Sequence, residues 1–255
     1  VSGRLLLVPN TLDFGTAREG SAAPDLREVL PAHVIDTAAR LGHWVCENAK
    51  TTRAFLKRVD AIAPLAQPLQ VLDIRELPRP PKGRPLTPGP DLQPLLAPAR
   101  AGHDIGLISE AGLPAVADPG AALVAAAHVA GVPVQALAGP SALLLALAAS
   151  GLDGQSFAFV GYVPQEAAAQ AQRLREMEAV SRRAGQTQLM IETPYRNAAL
   201  LRALLAHLAP TTRLSVSCGL TLSGGWTRTD RVAAWRARCV DLPADVPAVF
   251  ALLAE

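Results

Sequence analysis

The sequence predicts an α/β protein of two domains, and three observations carry that expectation. Short apolar segments alternate with helix-period segments through the first half of the chain, the pattern of strands joined by helices into a parallel sheet. Two strand-like segments, Ile105–Ile108 and Val132–Leu137, run into turns of small residues that open helices. The rhythm then restarts after Gly139-Pro140-Ser141 with different local signals. A boundary near Ala138 gives an N-terminal α/β domain over residues 1–137 and a C-terminal α/β domain over residues 138–255.

The elements follow in order. A strand is expected over Leu5–Val8, a helix from about Leu26, a strand over His43–Cys46, a helix from about Thr51 and a strand over Gln70–Ile74. The segment Arg75–Arg100 breaks the pattern with eight prolines and several basic residues, and reads as an exposed, partly extended loop. It serves either as a phosphate-contacting lid or as a solvated connector. Strand Ile105–Ile108, an Ala/Val helix, strand Val132–Leu137 and an apolar helix over Ala142–Ala149 come next. Beyond them, alternation marks a strand over Ser156–Gly161, and a polar helix runs from Gln165 to about Arg183. Strand Gln188–Ile191, helix Asn197–His207 and strand Arg213–Cys218 precede a Gly224-Gly225 turn. That turn leads to a hairpin or a short helix carrying Trp226 and Trp235, and a strand over Ala248–Leu253 follows.

Composition narrows the function classes. Apolar residues make up 50% and charged residues 18% of 255 residues, which is a globular balance. The apolar run Ala142–Ala149 falls far short of the roughly 20 residues that cross a bilayer, and reads as a buried helix. A strand that begins at Arg4 leaves no room for a signal-peptide core, so a cytoplasmic protein is expected. Cys46, Cys218 and Cys239 lack paired spacing, as do the five histidines, so no metal site is expected and the thiols read as buried and free. The formal charge of +2 does not announce a nucleic-acid binder, although arginine, which suits phosphate, far outnumbers lysine. Small residues after a strand let a ligand approach backbone N–H groups, and a helix N-terminus favours an anion; both apply to Ser109–Pro114 and to Gly139-Pro140-Ser141.

Taken in order, several motifs resemble the tetrapyrrole methylase superfamily of class III S-adenosylmethionine-dependent methyltransferases, in particular its branch of small-subunit rRNA (cytidine-2′-O)-methyltransferases. They are Leu7–Pro9, the run Glu47–Arg53, Ser109–Pro114 with Ala117–Gly120, Gly139–Ser141, Ser150–Leu152, Phe159–Pro164 and Ile191–Asn197. The resemblance implies two α/β domains, a homodimer, and S-adenosylmethionine held in a cleft between the domains. Carried over residue by residue, it assigns the cofactor to Pro9, Leu12, Glu110, Gly112, Leu113 and Val116, then to Ser141 and Ala142, Ile191 and Glu192, Cys218 and Gly219, and Pro247 and Ala248. The sequence departs from the branch pattern in the first loop, Pro9–Gly15, in Asn48-Ala49-Lys50 and in Glu110.

Methyl transfer from a sulfonium needs alignment of the acceptor and removal of a proton, and no metal. For a ribose 2′-hydroxyl acceptor, Glu47 is the candidate base or positioner, with Lys50, Arg53 and Arg196 holding phosphate. Glu47 equally suits a local role at a helix start, and Glu192 a plain strand end. Three functions fit: an RNA 2′-O-methyltransferase, a methyltransferase for a small tetrapyrrole-type molecule, and a non-catalytic S-adenosylmethionine-binding module. Aromatic residues total 4%, few for base stacking, while Arg53 and Arg196 would also suit tetrapyrrole carboxylates. The apolar helices around Ala121–Val129 and Ala142–Ala149 exceed what one small domain must bury, which agrees with a homodimer.

Overall fold

The computed structural model describes residues 2–13, 25–78, 90–238 and 240–255. The chain forms two compact units, Val1–Pro140 and Ser141–Glu255, divided three residues beyond the boundary expected from sequence.

In the first unit, β1 (Leu5–Leu7), β2 (His43–Cys46), β3 (Asp73–Glu76), β4 (Ile105–Ile108) and β5 (Val134–Ala136) form one sheet in the order β3-β2-β4-β1-β5. Every pairing in it is parallel. Helices α1 (Ala32–Arg40), α2 (Ala49–Asp60), α3 (Ala97–Arg100) and α4 (Ala121–Val129) lie between the strands in sequence. A parallel sheet is stable when both faces are covered, and its strands supply the apolar residues for both. Thus Leu6 and Trp44 join the core of α1 and α2, with Ile35, Phe55 and Leu56, while Leu5, Val45 and Leu107 join Leu96, Leu123 and Ala127 of the other face. Gly106 is dictated by this packing, because a Cβ there would lie 2.7 Å from the Trp44 ring.

The second sheet joins β6 (Phe157–Tyr162), β7 (Thr187–Ile191), β8 (Arg213–Cys218), β9 (Trp226–Arg231) and β10 (Ala248–Leu253) in the order β6-β7-β10-β8-β9. Only β6 and β7 pair in parallel; β7-β10-β8-β9 is antiparallel. The strand–helix alternation therefore gives a wholly parallel sheet in the first unit alone. On one face, Phe250 and Leu252 pack with α6 (Ala167–Ala184), α7 (Asn197–His207) and α8 (Val232–Ala237) through Leu174, Met177, Leu200, Leu204 and Trp235. On the other, Val249 and Ala251 pack beneath α5 (Ala142–Ser150) against Ala146 and Leu147. Both alternatives after Gly224-Gly225 occur in succession: Trp226 opens hairpin strand β9 and Trp235 lies on α8, its indole N–H donating to the Leu214 carbonyl at 2.9 Å.

Other expectations need correction. The helix expected from Leu26 is a single 3-10 turn, and the α-helix starts at Ala32. Strand β3 is shifted towards Arg75 and Glu76, which the loop reading had claimed, and the far end of that segment, Gln93–Arg100, is helical. The most proline-rich part of the segment, residues 79–89, lies outside the described residues, as does Cys239. Helix α5 is not wholly buried: Leu144 and Leu145 are 52% and 38% exposed, because the sheet covers only one side of it.

Replacing Gly106 by Ala should overpack the β4–Trp44 contact and cost about 1–3 kcal/mol. A lower urea midpoint for the first unit's transition checks this; an unchanged midpoint contradicts the packing described.

Candidate functional site

The crossovers from β1 and β4 leave in opposite directions, β1 towards β2 and β4 towards β5, and ligand crevices form outside the carboxyl ends of strands at such a reversal. The loops after these two strands meet there. Asn10 forms an isolated antiparallel bridge with Gly112, its N–H donating to the Gly112 carbonyl at 2.9 Å. Its side-chain amide donates to the carbonyls of Ser109 and Glu110, both at 3.1 Å, and its Oδ1 accepts from the Thr11 N–H. The next turn of the loop is anchored by Asp13, which accepts from the Thr11 hydroxyl and pairs with Arg58 of α2 at 3.0 Å.

The first-unit residues assigned by resemblance gather at this edge. Gly112 adopts φ +64°, and a Cβ there would stand 3.3 Å from Leu12 and 3.4 Å from the Pro140 carbonyl. Gly139 lies so close to Pro9 that any side chain would collide with it. The turn continues through Leu113, whose carbonyl accepts from the Val116 N–H, and the Val116 side chain is exposed. Ala115 and Ala117 hold φ values of 65° and 62°, a left-handed conformation that costs of order 1–3 kcal/mol per non-glycine residue. Strain of this kind fixes the direction in which the following Asp118 leaves the turn.

Three carboxylates, Glu47, Glu110 and Asp118, interact at this edge. Glu47 follows β2, and its Oε2 accepts from the Glu110 N–H at 3.4 Å. Asn48 performs two tasks: its Oδ1 caps α2 by accepting from the Lys50 N–H, and its Nδ2 donates to Glu110 Oε1 at 3.3 Å. An aspartate at 48 could cap the helix but could not donate to Glu110. Burial, reinforced by the charges of Glu47 and Glu110, pushes the Asp118 pKa up to about 7. Lys50 and Arg53 are exposed on α2, and the Arg53 Nη1 turns back to the Ala49 carbonyl.

The second unit gathers its own set at one end of its sheet. Ile191 pairs with Val249, and Ala248 with Cys218, so β7, β10 and β8 bring Ile191, Ala248 and Cys218 side by side. The Gly219 N–H donates to the Pro247 carbonyl at 2.9 Å. Ser141, which is buried, precedes α5, and Ala142 packs against the cluster that includes Ile191. Glu192 is buried and binds Arg196, Oε2 to Nε at 3.1 Å, and its other oxygen accepts from Thr193. Arg196 is therefore tied to Glu192 within this unit, while Glu47, Lys50 and Arg53 belong to the other. Burial raises the thiol pKa of both Cys46 and Cys218, which makes them inert packing groups.

Sequence reasoning missed Asn10, Asp13, Arg58 and Asp118. The Asp118-Pro119-Gly120 motif was visible, but the chemistry of Asp118 arises first from its burial and then from the charges of Glu47, distant in sequence, and Glu110. Among the described residues, no three of His, Cys, Asp and Glu are grouped as metal ligands, and no helix is long and apolar enough to cross a membrane.

The fold and its strand-end turns define a two-unit α/β protein, and comparison identifies its class. The chain belongs to the tetrapyrrole (corrin/porphyrin) methylases, whose family model matches residues 34–227. It is 36% identical over 140 residues to a ribosomal RNA small subunit methyltransferase I of Mesorhizobium japonicum, covering 55% of this chain and 46% of the relative. With the protein of the same name from Vibrio cholerae it shares 41% identity over 105 residues, 41% of this chain and 35% of the relative. The chain thus spans less than half the length of these two relatives. A conserved hypothetical protein of Aeropyrum pernix shares the fold, with a TM-score of 0.61 at 18% identity, covering 100% of this chain and 86% of that one.

The folded protein holds the Asp118 proton more tightly than the unfolded chain, so this group's contribution to stability falls as pH rises from 3.8 to about 7 and stays low above. Asp118→Asn removes that penalty. Its melting temperature relative to the parent protein should be higher at pH 8 than at pH 5; a difference independent of pH would contradict the acidic cluster.

Proposed function

We propose that this chain transfers a methyl group from S-adenosylmethionine to RNA, with a ribose 2′-hydroxyl as acceptor. The observation that carries this reading is the cluster of Glu47, Glu110 and Asp118 beside the small-residue loops at the carboxyl edge of the first sheet. The names of the matching relatives favour RNA over a tetrapyrrole.

The residues present fit the cofactor. Gly112 leaves space that a Cβ would take, and Ser109, 4% exposed, has a hydroxyl with no partner among the described residues. Three carboxylates at one edge suit a ligand that carries positive charge. S-adenosylmethionine, when bound, supplies an activated methyl group on a sulfonium. Pro9, Leu12, Gly112, Leu113 and Val116 would hold it through backbone and apolar contact, and Glu110 through charge.

The chain's own residues supply orientation and proton removal. With its pKa pushed up to about 7, Asp118 has appreciable affinity for the hydroxyl proton near neutral pH. Glu47 raises that affinity through its charge, which makes it a positioning residue. Exposed Lys50 and Arg53 suit RNA phosphates. Arg196 offers a second contact, because Glu192 engages its Nε while the terminal nitrogens have no partner among the described residues.

The protein is further read as a homodimer of the cytoplasm. The exposed Leu144 and Leu145 of α5, and Val129 at the end of α4, are apolar surface suited to a second copy. Light scattering should give twice the chain mass at micromolar concentration, and a monomer mass would reject this.

Incubation with labelled methyl donor and a cell extract split into RNA, protein and small-molecule fractions should place the label in RNA. Label in small molecules alone would favour the tetrapyrrole-type reading, and no label the binding module. Turnover should rise with pH through an apparent pKa near 7. Asp118→Asn should lower turnover about 10²–10⁴-fold, with a far smaller loss of cofactor affinity. Glu47→Gln should move the inflection to lower pH, since one repelling charge is lost. An unmoved inflection in Glu47→Gln would remove Glu47 from this role.

A further inference from the structure

Both tyrosines of the chain stand at one end of the second sheet, and both are exposed, Tyr162 at 58% and Tyr195 at 71%. Tyr162 closes β6 and pairs with Ile191, the last residue of β7. Tyr195 follows Ile191 by four residues, so their Cα atoms are no more than about 14 Å apart even at full chain extension. Among the described residues the large exposed aromatic side chains are these two and Phe157, whereas Trp44, Phe55, Trp235 and Phe250 are buried in the cores.

The backbone is arranged to present both rings. The register of β6 against β7 shifts between Phe159 and Tyr162, and Gly161 between them holds φ +76°. A bulge of this kind bends a strand and re-aims the side chain next to it. Tyr195 lies in a 3-10 turn, Pro194–Arg196, that one buried acid fixes at both ends. Glu192 Oε1 accepts from the Thr193 N–H at 2.8 Å and from its hydroxyl at 3.2 Å, and Oε2 accepts from Arg196 Nε at 3.1 Å. The Arg196 N–H also donates to the Thr193 carbonyl at 2.9 Å, and Pro194 restricts the turn further. The exposed ring of Tyr195 is thus followed directly by a guanidinium whose terminal nitrogens have no partner among the described residues. Pairing with Glu192 leaves Arg196 little net charge, so it acts through directed N–H groups.

Aromatic faces with an adjoining arginine match the needs of unpaired nucleotides: rings for base faces, and guanidinium N–H groups for phosphate oxygens or base edges. In a duplex the base faces are covered by neighbouring pairs, so such rings engage only bases that are splayed out of the stack. We propose that this end of the second unit holds unpaired nucleotides of RNA, with Tyr195 and Tyr162 stacked on base faces and Arg196 donating to the same strand. It rests on the RNA acceptor proposed above and narrows that substrate to an unpaired segment.

Fluorescence anisotropy of a labelled, mixed-sequence RNA strand, alone or annealed to its complement, reads the affinity of the chain. Transfer of label from S-adenosylmethionine to total RNA is followed on the same preparations. The parent protein should bind the single strand more tightly than the duplex. Tyr195→Ala should weaken single-strand binding about tenfold and Tyr162→Ala severalfold, with the salt dependence of binding unchanged because no charge is lost. Tyr195→Phe should keep the parent affinity, and a loss equal to that of Tyr195→Ala would assign the effect to the hydroxyl and overturn stacking. Tighter binding of the duplex, or undiminished binding by both alanine variants, overturns the proposal while RNA labelling by the parent leaves methyl transfer to RNA standing. A parent protein that neither binds nor labels RNA overturns both.

Discussion

The loops that leave β1 and β4 are held together by one buried side chain. Asn10 donates to two carbonyls of the second loop, accepts from its own loop, and adds a backbone bond to Gly112. Without that amide, the carbonyls of Ser109 and Glu110 would lose this donor, at a cost of about 1–3 kcal/mol for one left buried and unpaired. The position of Glu110, the left-handed turn behind it and the exit of Asp118 all depend on this link. Asp13 and Arg58 extend it to α2, so the helix that carries Asn48 is fixed relative to the same loops.

Glu192 and Glu110, each near the end of a strand in its own unit, have different partners. In the second, Glu192 meets Arg196 directly, and the pair is close to neutral. In the first, Asn48 supplies a dipole to Glu110 and adds no charge of its own to the cluster. A neutral amide at position 48 therefore preserves the electrostatic character of that edge, which a further carboxylate would make more repulsive and a cation would quench.

How much of this was legible in the sequence depended on the range of the signal. Strands His43–Cys46, Ile105–Ile108, Arg213–Cys218 and Ala248–Leu253, and helix Asn197–His207, were readable to the residue because their apolar periods end at Gly, Pro or a polar cap. The early turn at Leu26 was misread because apolar period alone does not separate one 3-10 turn from a helix that starts at Ala32. The direction of strand pairing in the second sheet was not legible, since β10 inserts between β7 and β8 from far along the chain. At the site, the loops were visible as small-residue turns. The partners of Asn10 and the environment of Asp118 were not, because Asn10 bonds carbonyls about 100 positions away and Asp118 owes its raised pKa to tertiary burial and to Glu47, about 70 positions away, as well as to the nearer Glu110.

That placement of β10 bears on how the chain assembles as it is made. Strands β6 and β7 can pair soon after they appear, and β8 with β9 likewise, but the two pairs share no edge until Ala248–Leu253 arrives between them. Until then, the inner edges of β7 and β8 present unpaired backbone and buried-type side chains such as Leu189, Met190 and Val216 to solvent. Such edges recruit other strands. The second unit is thus obliged to pass through a late, adhesive stage during synthesis, whereas the first has all five of its strands by residue 136.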